Sequence, residues 1–198
     1  MRVIILSWEF PPRVVGQLAD YVRELAAQLV RNEVETYVVT YHDYLTGRSE
    51  EPEGVKIYRV TNPVRTHKGV LTWVLTLNQE VERAVASIYY NRDKRVDLID
   101  AQDWHFIPAA VTLKKAFGLP FIYSVESLED HRSHGADSPL NMAIESIERV
   151  GMCEAERIVV KSEWMRDEVI KGYKVSRDRV KMVLPKSSTW MKDILEIY

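Results

Sequence analysis

The 198 residues carry 27 Lys and Arg against 29 Asp and Glu, a formal net charge of -2, with 46% hydrophobic and 28% charged residues. That length buries one full core, so a single α/β domain fits and two complete nucleotide-binding domains do not. Cations scattered among acids exclude a nucleic-acid footprint, a lone Cys153 excludes a disulfide scaffold, and no apolar run reaches membrane-spanning length.

A single cysteine and the absence of a basic, apolar leader before the first strand predict a cytoplasmic protein. The many charges and few Gln or Asn also fit a thermophilic source.

The first element is the apolar strand Val3-Ile4-Ile5-Leu6, and Ser7 to Leu18 joins it to the first helix. Pro11 and Pro12 forbid helix and central strand alike, so the chain leaves as an extended loop before Gly16 turns it into the helix. A helix N-terminus there favours an anion such as phosphate or diphosphate. A plain strand-to-helix turn without a ligand satisfies the same residues.

Leu18, Val22, Leu25, Ala26 and Leu29 then recur at helical spacing, with Arg23 and Glu24 on the other face. Glu35 to Thr40 reads as the second strand, reached through the short link Asn32-Glu33-Val34. Tyr41 to Gly54, with its Thr-Gly and Glu-Pro pairs, reads as a surface loop before a third strand, Val55 to Val60. After a second loop, Trp73, Val74, Leu77, Val81, Val85 and Ile88 keep the 3.6-residue period of a long helix starting near Val70.

Asp97 to Ala101 is a short buried strand, and Gln102-Asp103-Trp104-His105 stands at its carboxyl end, where parallel sheets bind ligands. A helix through Phe106, Ala110, Leu113 and Phe117 closes at Gly118, and Phe121 to Val125 is the next strand. The following stretch is polar and predicted as a non-helical loop: Glu126, Ser127, Glu129, Asp130, His131, Arg132, Ser133 and His134. Asp130, His131 and His134 invite a metal reading, but no further Cys or His accompanies them, and no metal is expected.

Pro139 to Val150 reads as a helix with Leu140, Ala143, Ile144, Ile147 and Val150 on its apolar side. Arg157 to Lys161 is a strand, Ser162 caps a helix opening with Glu163, and Val180 to Leu184 is the last strand. Thr189 is predicted to cap a short terminal helix in which Trp190, Ile194 and Ile197 face one way. Alternating strands and helices predict an α/β fold with a doubly wound, mainly parallel, Rossmann-like sheet. Residues 1–185 form that domain, and 186–198 a linker and terminal helix.

Ser7-Trp8-Glu9-Phe10-Pro11-Pro12-Arg13 after an N-terminal strand, followed by the turn Val15-Gly16-Gln17-Leu18, resembles the start of glycogen/starch synthases and their retaining glycosyltransferase relatives. That family has the GT-B fold, so the resemblance implies the N-terminal, acceptor-side half, with a second Rossmann-like domain in cis or trans. The family usually has two glycines in this turn; Gln17 replaces the second, which implies weaker diphosphate approach at Gly16 and Gln17. It commonly has Gly-His where Glu33 and Val34 stand, so a favourable C-terminal cap on the first helix is expected to be missing.

Asp103-Trp104-His105 is similar to the family's Asp-Trp-His segment, whose His lines the sugar site. The resemblance therefore makes His105 the catalytic position, with Asp103 orienting it or capping the helix. Glu126 stands where the family often has His, exchanging a potential donor for an acceptor of sugar hydroxyls. Glu129, His131 and Arg132 complete the implied substrate-binding set, although solvated loop charges fit the same positions.

By this resemblance the chain helps transfer a hexose from a nucleotide-sugar, ADP-glucose or UDP-glucose, to a glycan acceptor, with no resident cofactor. The family's second domain supplies the cations around the diphosphate, so the chain alone is expected to be inactive. The rival is a non-catalytic Rossmann-like protein that binds a glycan, nucleotide or partner. A flavodoxin-like or dehydrogenase domain is disfavoured because no Gly-x-Gly-x-x-Gly follows the first strand.

Overall fold

A computed structural model describes residues 1–50, 53–91, 93 and 95–198. The aliphatic run from Val3 to Leu6 is buried on both faces, as a strand in the interior of a parallel sheet must be, and forms β1 (Arg2–Ser7). Seven more strands follow: β2 (Glu35–Tyr41), β3 (Gly47–Glu50), β4 (Lys56–Val60), β5 (Leu98–Gln102), β6 (Phe121–Ser124), β7 (Arg157–Val160) and β8 (Val180–Met182). Their order is β3-β4-β2-β1-β5-β6-β7-β8, parallel throughout except for β3 against β4.

Alternate residues of each strand feed two layers. Val3 and Ile5 pack with Val38 and Ile57 under α1 (Leu18–Arg31), joined near the chain end by the helix Trp190–Ile197. Ile4 and Leu6 pack with Tyr37 and Tyr123 under the helices of the opposite face. Those are α2 (Val70–Asn91), α3 (Ile107–Phe117), α5 (Pro139–Glu154) and α6 (Glu163–Tyr173); α4 (Glu129–Arg132) is a single turn after β6, and the terminal helix is α7. Helices thus cover both faces, and the expected doubly wound α/β fold is present.

α5 approaches the sheet closely at Gly151, where a Cβ would come within 3.0 Å of Ile107 and Tyr123. The chain winds outward from β1 through β2 to β4, then α2 carries it back to β5 on the other side of β1. The loops after β1 and β5 therefore diverge at their carboxyl ends and leave a crevice at the switch in strand order.

Several elements differ from expectation. Tyr41–Gly54 is not all loop, because Gly47–Glu50 pairs antiparallel with β4 as an edge strand. Its polar residues give no period-2 signal, which is how an exposed edge resists further pairing; Glu51 and Pro52, part of the expected loop, lie outside the described residues. The first helix has its C-terminal cap after all. Glu33 donates to the Val30 carbonyl at 2.9 Å and Val34 to the Leu29 carbonyl at 3.0 Å, a complete Schellman pattern, with Glu33 at φ 61 where glycine is usual.

The polar stretch after β6 is partly helical, because Ser133 N–H reaches the Glu129 carbonyl at 2.8 Å and closes a turn. α5 runs one turn beyond Val150, and Leu140 and Val150 are exposed while Glu148 is fully buried. Ser162 caps α6 as expected, accepting from Met165 N–H at 3.1 Å. Thr189 does not cap α7 in this way, since its hydroxyl donates to the Asp193 carboxylate at 2.8 Å.

Candidate functional site

The crevice at the switch in strand order is a cleft of about 500 Å³ lined by Trp8, Gly16, Gln17, Asp103, His105 and Arg132 among others. It gathers the loop after β1, the corner after β5, the segment after β6 and the start of α5. Among the described residues no helix is long and apolar enough to cross a membrane.

The loop after β1 is held from within. Phe10–Arg13 closes a turn through Arg13 N–H to the Phe10 carbonyl at 3.0 Å. The buried Glu9 carboxylate accepts from the N–H groups of Val15 at 2.6 Å and Gly16 at 2.8 Å. Gly16 N–H, part of the turn that the sequence reads as an anion site at the helix N-terminus, is thus satisfied by the protein's own carboxylate, while α1 itself begins two residues later at Leu18. Gly16 does not adopt a left-handed conformation, and Gln17 is the exposed residue preceding α1. Both still line the cleft.

The corner after β5 is the strained part. Asp103 has φ 62 and ψ 179, a region rarely occupied by anything but glycine. That conformation swings the chain directly from β5 into a 3₁₀ turn, Trp104–Phe106, and brings His105 into the cleft. The imidazole lies between two indoles, 4.6 Å from Trp8 at an interplanar angle of 8° and 4.3 Å from Trp104. Its backbone is pinned by Asn78 of α2, whose side-chain amide donates to the His105 carbonyl at 2.9 Å and accepts from Ala109 N–H at 2.8 Å.

Asp103 is 5% and His105 8% exposed. Burial, reinforced by the charges of Arg132 and Arg13, holds the imidazole down to about 3, so it is neutral near pH 7. Burial likewise pushes Asp103 up to about 7, against the pull of Arg132 and with the help of Glu148 and Glu126. Asp103 Oδ2 stands 3.7 Å from His105 Nδ1, too far for a hydrogen bond. Asp103 Oδ1 and His105 Nδ1 are both buried without a hydrogen-bond partner among the described residues.

The third wall is an ionic cluster. Arg132 donates to Glu129 Oε2 at 2.9 Å and to Glu148 Oε1 at 2.7 Å, while Glu129 N–H also reaches Glu148 Oε1 at 2.9 Å. Tyr173 donates its hydroxyl to the same carboxylate. Burial opposes the charge on Arg132, but Asp103 and Glu148 outweigh it and raise the guanidinium further. Burial raises Glu148, against its bonds from Tyr173 and Arg132.

Of the sequence-predicted residues, the cleft unites Gly16, Gln17, Asp103, His105, Glu126, Glu129 and Arg132. Glu126 is paired with Lys161, whose ammonium also lies 3.6 Å from the centre of the Tyr21 ring. His131 is elsewhere: its Nε2 faces Glu168 at 3.3 Å and its ring packs on Trp164. Among the described residues no group of three His, Cys, Asp or Glu is placed to hold a metal. Sequence reading missed Glu148 and Asn78. Both interrupt apolar helix faces, Glu148 four residues after Ile144 and Asn78 four after Val74, and a polar residue inside such a stripe was the available signal.

A family model described as a glycosyl transferase 4-like domain matches residues 17–185. An uncharacterised glycosyltransferase of Methanocaldococcus jannaschii is 32% identical over 98% of this chain and 48% of its own length. A glycogen synthase of Mycobacterium tuberculosis is 24% identical over 85% of the chain and 44% of its own length. Among solved structures, sucrose-phosphate synthase of Thermosynechococcus elongatus superposes with a TM-score of 0.73 at 15% identity, over 92% of this chain and 47% of its own. The catalytic domain of starch synthase IV from Arabidopsis thaliana, bound to ADP and acarbose, gives 0.62 at 13% identity, over 95% and 52%. The chain thus spans about half the length of the relatives it matches.

Proposed function

The chain belongs to the glycosyl transferase 4-like family and has the Rossmann-like α/β fold of one GT-B half; from that premise we propose that it forms the acceptor-side wall of a hexosyltransferase cleft. The donor is a nucleotide-sugar, ADP-glucose or UDP-glucose, the acceptor a glycan, and the setting cytoplasmic. Residues 1–185 make the wall, 186–198 the linker and closing helix, and a second Rossmann-like domain, in cis or trans, the donor side.

The observation that carries this reading is the pair of buried, unpartnered polar atoms at the switch crevice, Asp103 Oδ1 and His105 Nδ1. Buried polar groups normally find partners, and a sugar hydroxyl, at once donor and acceptor, suits both. Neutral His105, clamped between Trp8 and Trp104, orients that hydroxyl without adding charge.

Transfer also needs positive charge where the diphosphate departs, and losing one preorganised donor costs about 10²–10³ in rate. Arg132, the cation lining the cleft among the described residues, is held by Glu129 and Glu148. The test incubates the chain with ADP-glucose or UDP-glucose and an oligosaccharide, and follows nucleotide release. No turnover is expected from the chain alone. Turnover by the chain alone, abolished by His105→Ala, would overturn the half-site reading.

One observation favours the non-catalytic alternative: Glu9 already satisfies the Val15 and Gly16 N–H groups of the first loop. Saturable ADP-glucose binding without turnover, even after a second domain is supplied, would select it.

A further inference from the structure

The carboxyl edge of the sheet carries a second cleft, about 580 Å³, on the far side of Trp73 from His105. Its walls are the loop after β2, the segment after β4 and α2, contributing Tyr41, Tyr44, Arg65, His67 and Trp73. The backbone framing it is well tied. His42 Nδ1 accepts from the N–H groups of Tyr44 at 3.1 Å and Leu45 at 3.0 Å. Across the cleft, the Asn62 amide donates to the Trp73 carbonyl at 2.7 Å and accepts from Val64 N–H at 3.0 Å.

Tyr41 is fixed as well, donating its hydroxyl to Asp43 at 2.8 Å, while Asp43 also pairs with Arg13 at 3.3 Å. The Arg13 guanidinium lies 4.9 Å from the ring centres of both Trp8 and Tyr41. Beyond that frame the cleft is lined by Tyr44, Thr46, Thr61, Arg65 and His67. Tyr44 is 89% exposed, Arg65 is exposed at the rim, and His67 Nε2 is buried with no hydrogen-bond partner among the described residues.

A continuous aromatic wall connects this cleft to the first. Tyr41 meets Trp73 edge-on at 4.8 Å, Trp73 meets Trp8 edge-on at 6.5 Å, and Trp8 stacks on His105. Aromatic faces beside planar polar side chains are what a pyranose needs, since its C–H faces are apolar and its hydroxyls both donate and accept.

We propose that the Tyr44–Arg65–His67–Trp73 cleft is a second glycan subsite, which holds a sugar unit of the acceptor remote from the hydroxyl presented at His105. This rests on the reading of the His105 cleft as the acceptor wall. It makes the acceptor an oligosaccharide rather than a single sugar. Tyr44 covers one face of the remote ring, and Arg65 and His67 bind its hydroxyls.

The test titrates the whole chain by calorimetry with glucose, maltose, maltotetraose and cellotetraose, beside Tyr44→Ala, Arg65→Ala and His105→Ala. At least one tetrasaccharide is expected to bind about tenfold tighter than glucose, the scale of one added ring contact. Tyr44→Ala and Arg65→Ala should each remove most of that advantage and leave glucose binding unchanged. A tetrasaccharide that binds no tighter than glucose overturns the subsite, as does an advantage that survives both substitutions, or no binding by any of the four probes. If His105→Ala weakens sugar binding while Tyr44→Ala does not, the subsite falls and the His105 reading stands. If Tyr44→Ala weakens it while His105→Ala does not, the subsite stands and the His105 reading falls.

Discussion

Across the middle of the sheet Ile4, Ile5, Val38 and Ile99 are buried among apolar neighbours, whereas at the carboxyl ends of the strands Glu9, Asp103, His105, Glu129 and Glu148 are buried almost as deeply. Equal burial has opposite consequences in the two places. Apolar burial stabilises by about 25 cal/mol per Å². A buried carboxyl destabilises unless hydrogen bonds and countercharges offset its desolvation. The middle therefore holds in place an edge that would not assemble on its own account, and two of the buried polar atoms without partners among the described residues, Asp103 Oδ1 and His105 Nδ1, sit together at that edge beside the cleft.

The sharpest test of that contrast sets a core truncation beside a cleft substitution. Phe121→Ala removes a fully buried ring and should cost about 3–5 kcal/mol by urea denaturation, whereas Asp103→Asn should cost little or stabilise. A large loss for Asp103→Asn would mean that its carboxylate is a structural anchor.

Arg132→Met probes how tightly the edge is balanced. Glu129 and Glu148 would lose their shared countercharge, at about 2–3 kcal/mol after allowance for partial exposure of the guanidinium. Adding Glu148→Leu should restore part of that loss, and purely additive losses would show the cluster is not coupled. Glu9→Ala strips the acceptor from the Val15 and Gly16 N–H groups and should cost about 2 kcal/mol. Faster amide exchange confined to Val15–Leu18 would accompany it.

The pH dependence separates the two cleft groups. His105 is lowered from 6.5 to about 3, so the folded state binds fewer protons than the unfolded one and stability rises with pH across that window. Asp103 is raised from 3.8 to about 7, so its contribution falls as pH rises from about 4 to 7. The two slopes oppose each other in the native protein. Asp103→Asn should leave a urea midpoint that climbs between pH 4.5 and 6.5, and His105→Asn one that declines. Parallel profiles in both variants would contradict these assignments.

The smallest expected effect lies at the far end of the sheet. Glu33→Gly relieves a left-handed residue in the cap of α1 and should stabilise by about 0.5–1 kcal/mol without altering sugar binding. Thermal denaturation would register it as a rise of a few degrees.

The apolar periods of Val3–Leu6, Leu18–Leu29 and Leu98–Ala101 were enough to place β1, α1 and β5, and with them a parallel sheet whose carboxyl edge carries Asp103 and His105. Periodicity records which faces are buried, and a doubly wound sheet follows from alternating faces. The polar edge strand β3 escaped because it buries no apolar face, its pairing with β4 being backbone bonds supplemented by polar contacts such as Arg59 to Ser49. Glu148 reaches Glu129 from a different helix, Asn78 reaches His105 across 27 positions, and Glu9 folds back onto the loop that the sequence offers to a ligand. No local spacing encodes such meetings. Strand order decides which loop ends converge, so tertiary structure alone determined which charges are paired and which polar atoms are left without partners beside the cleft.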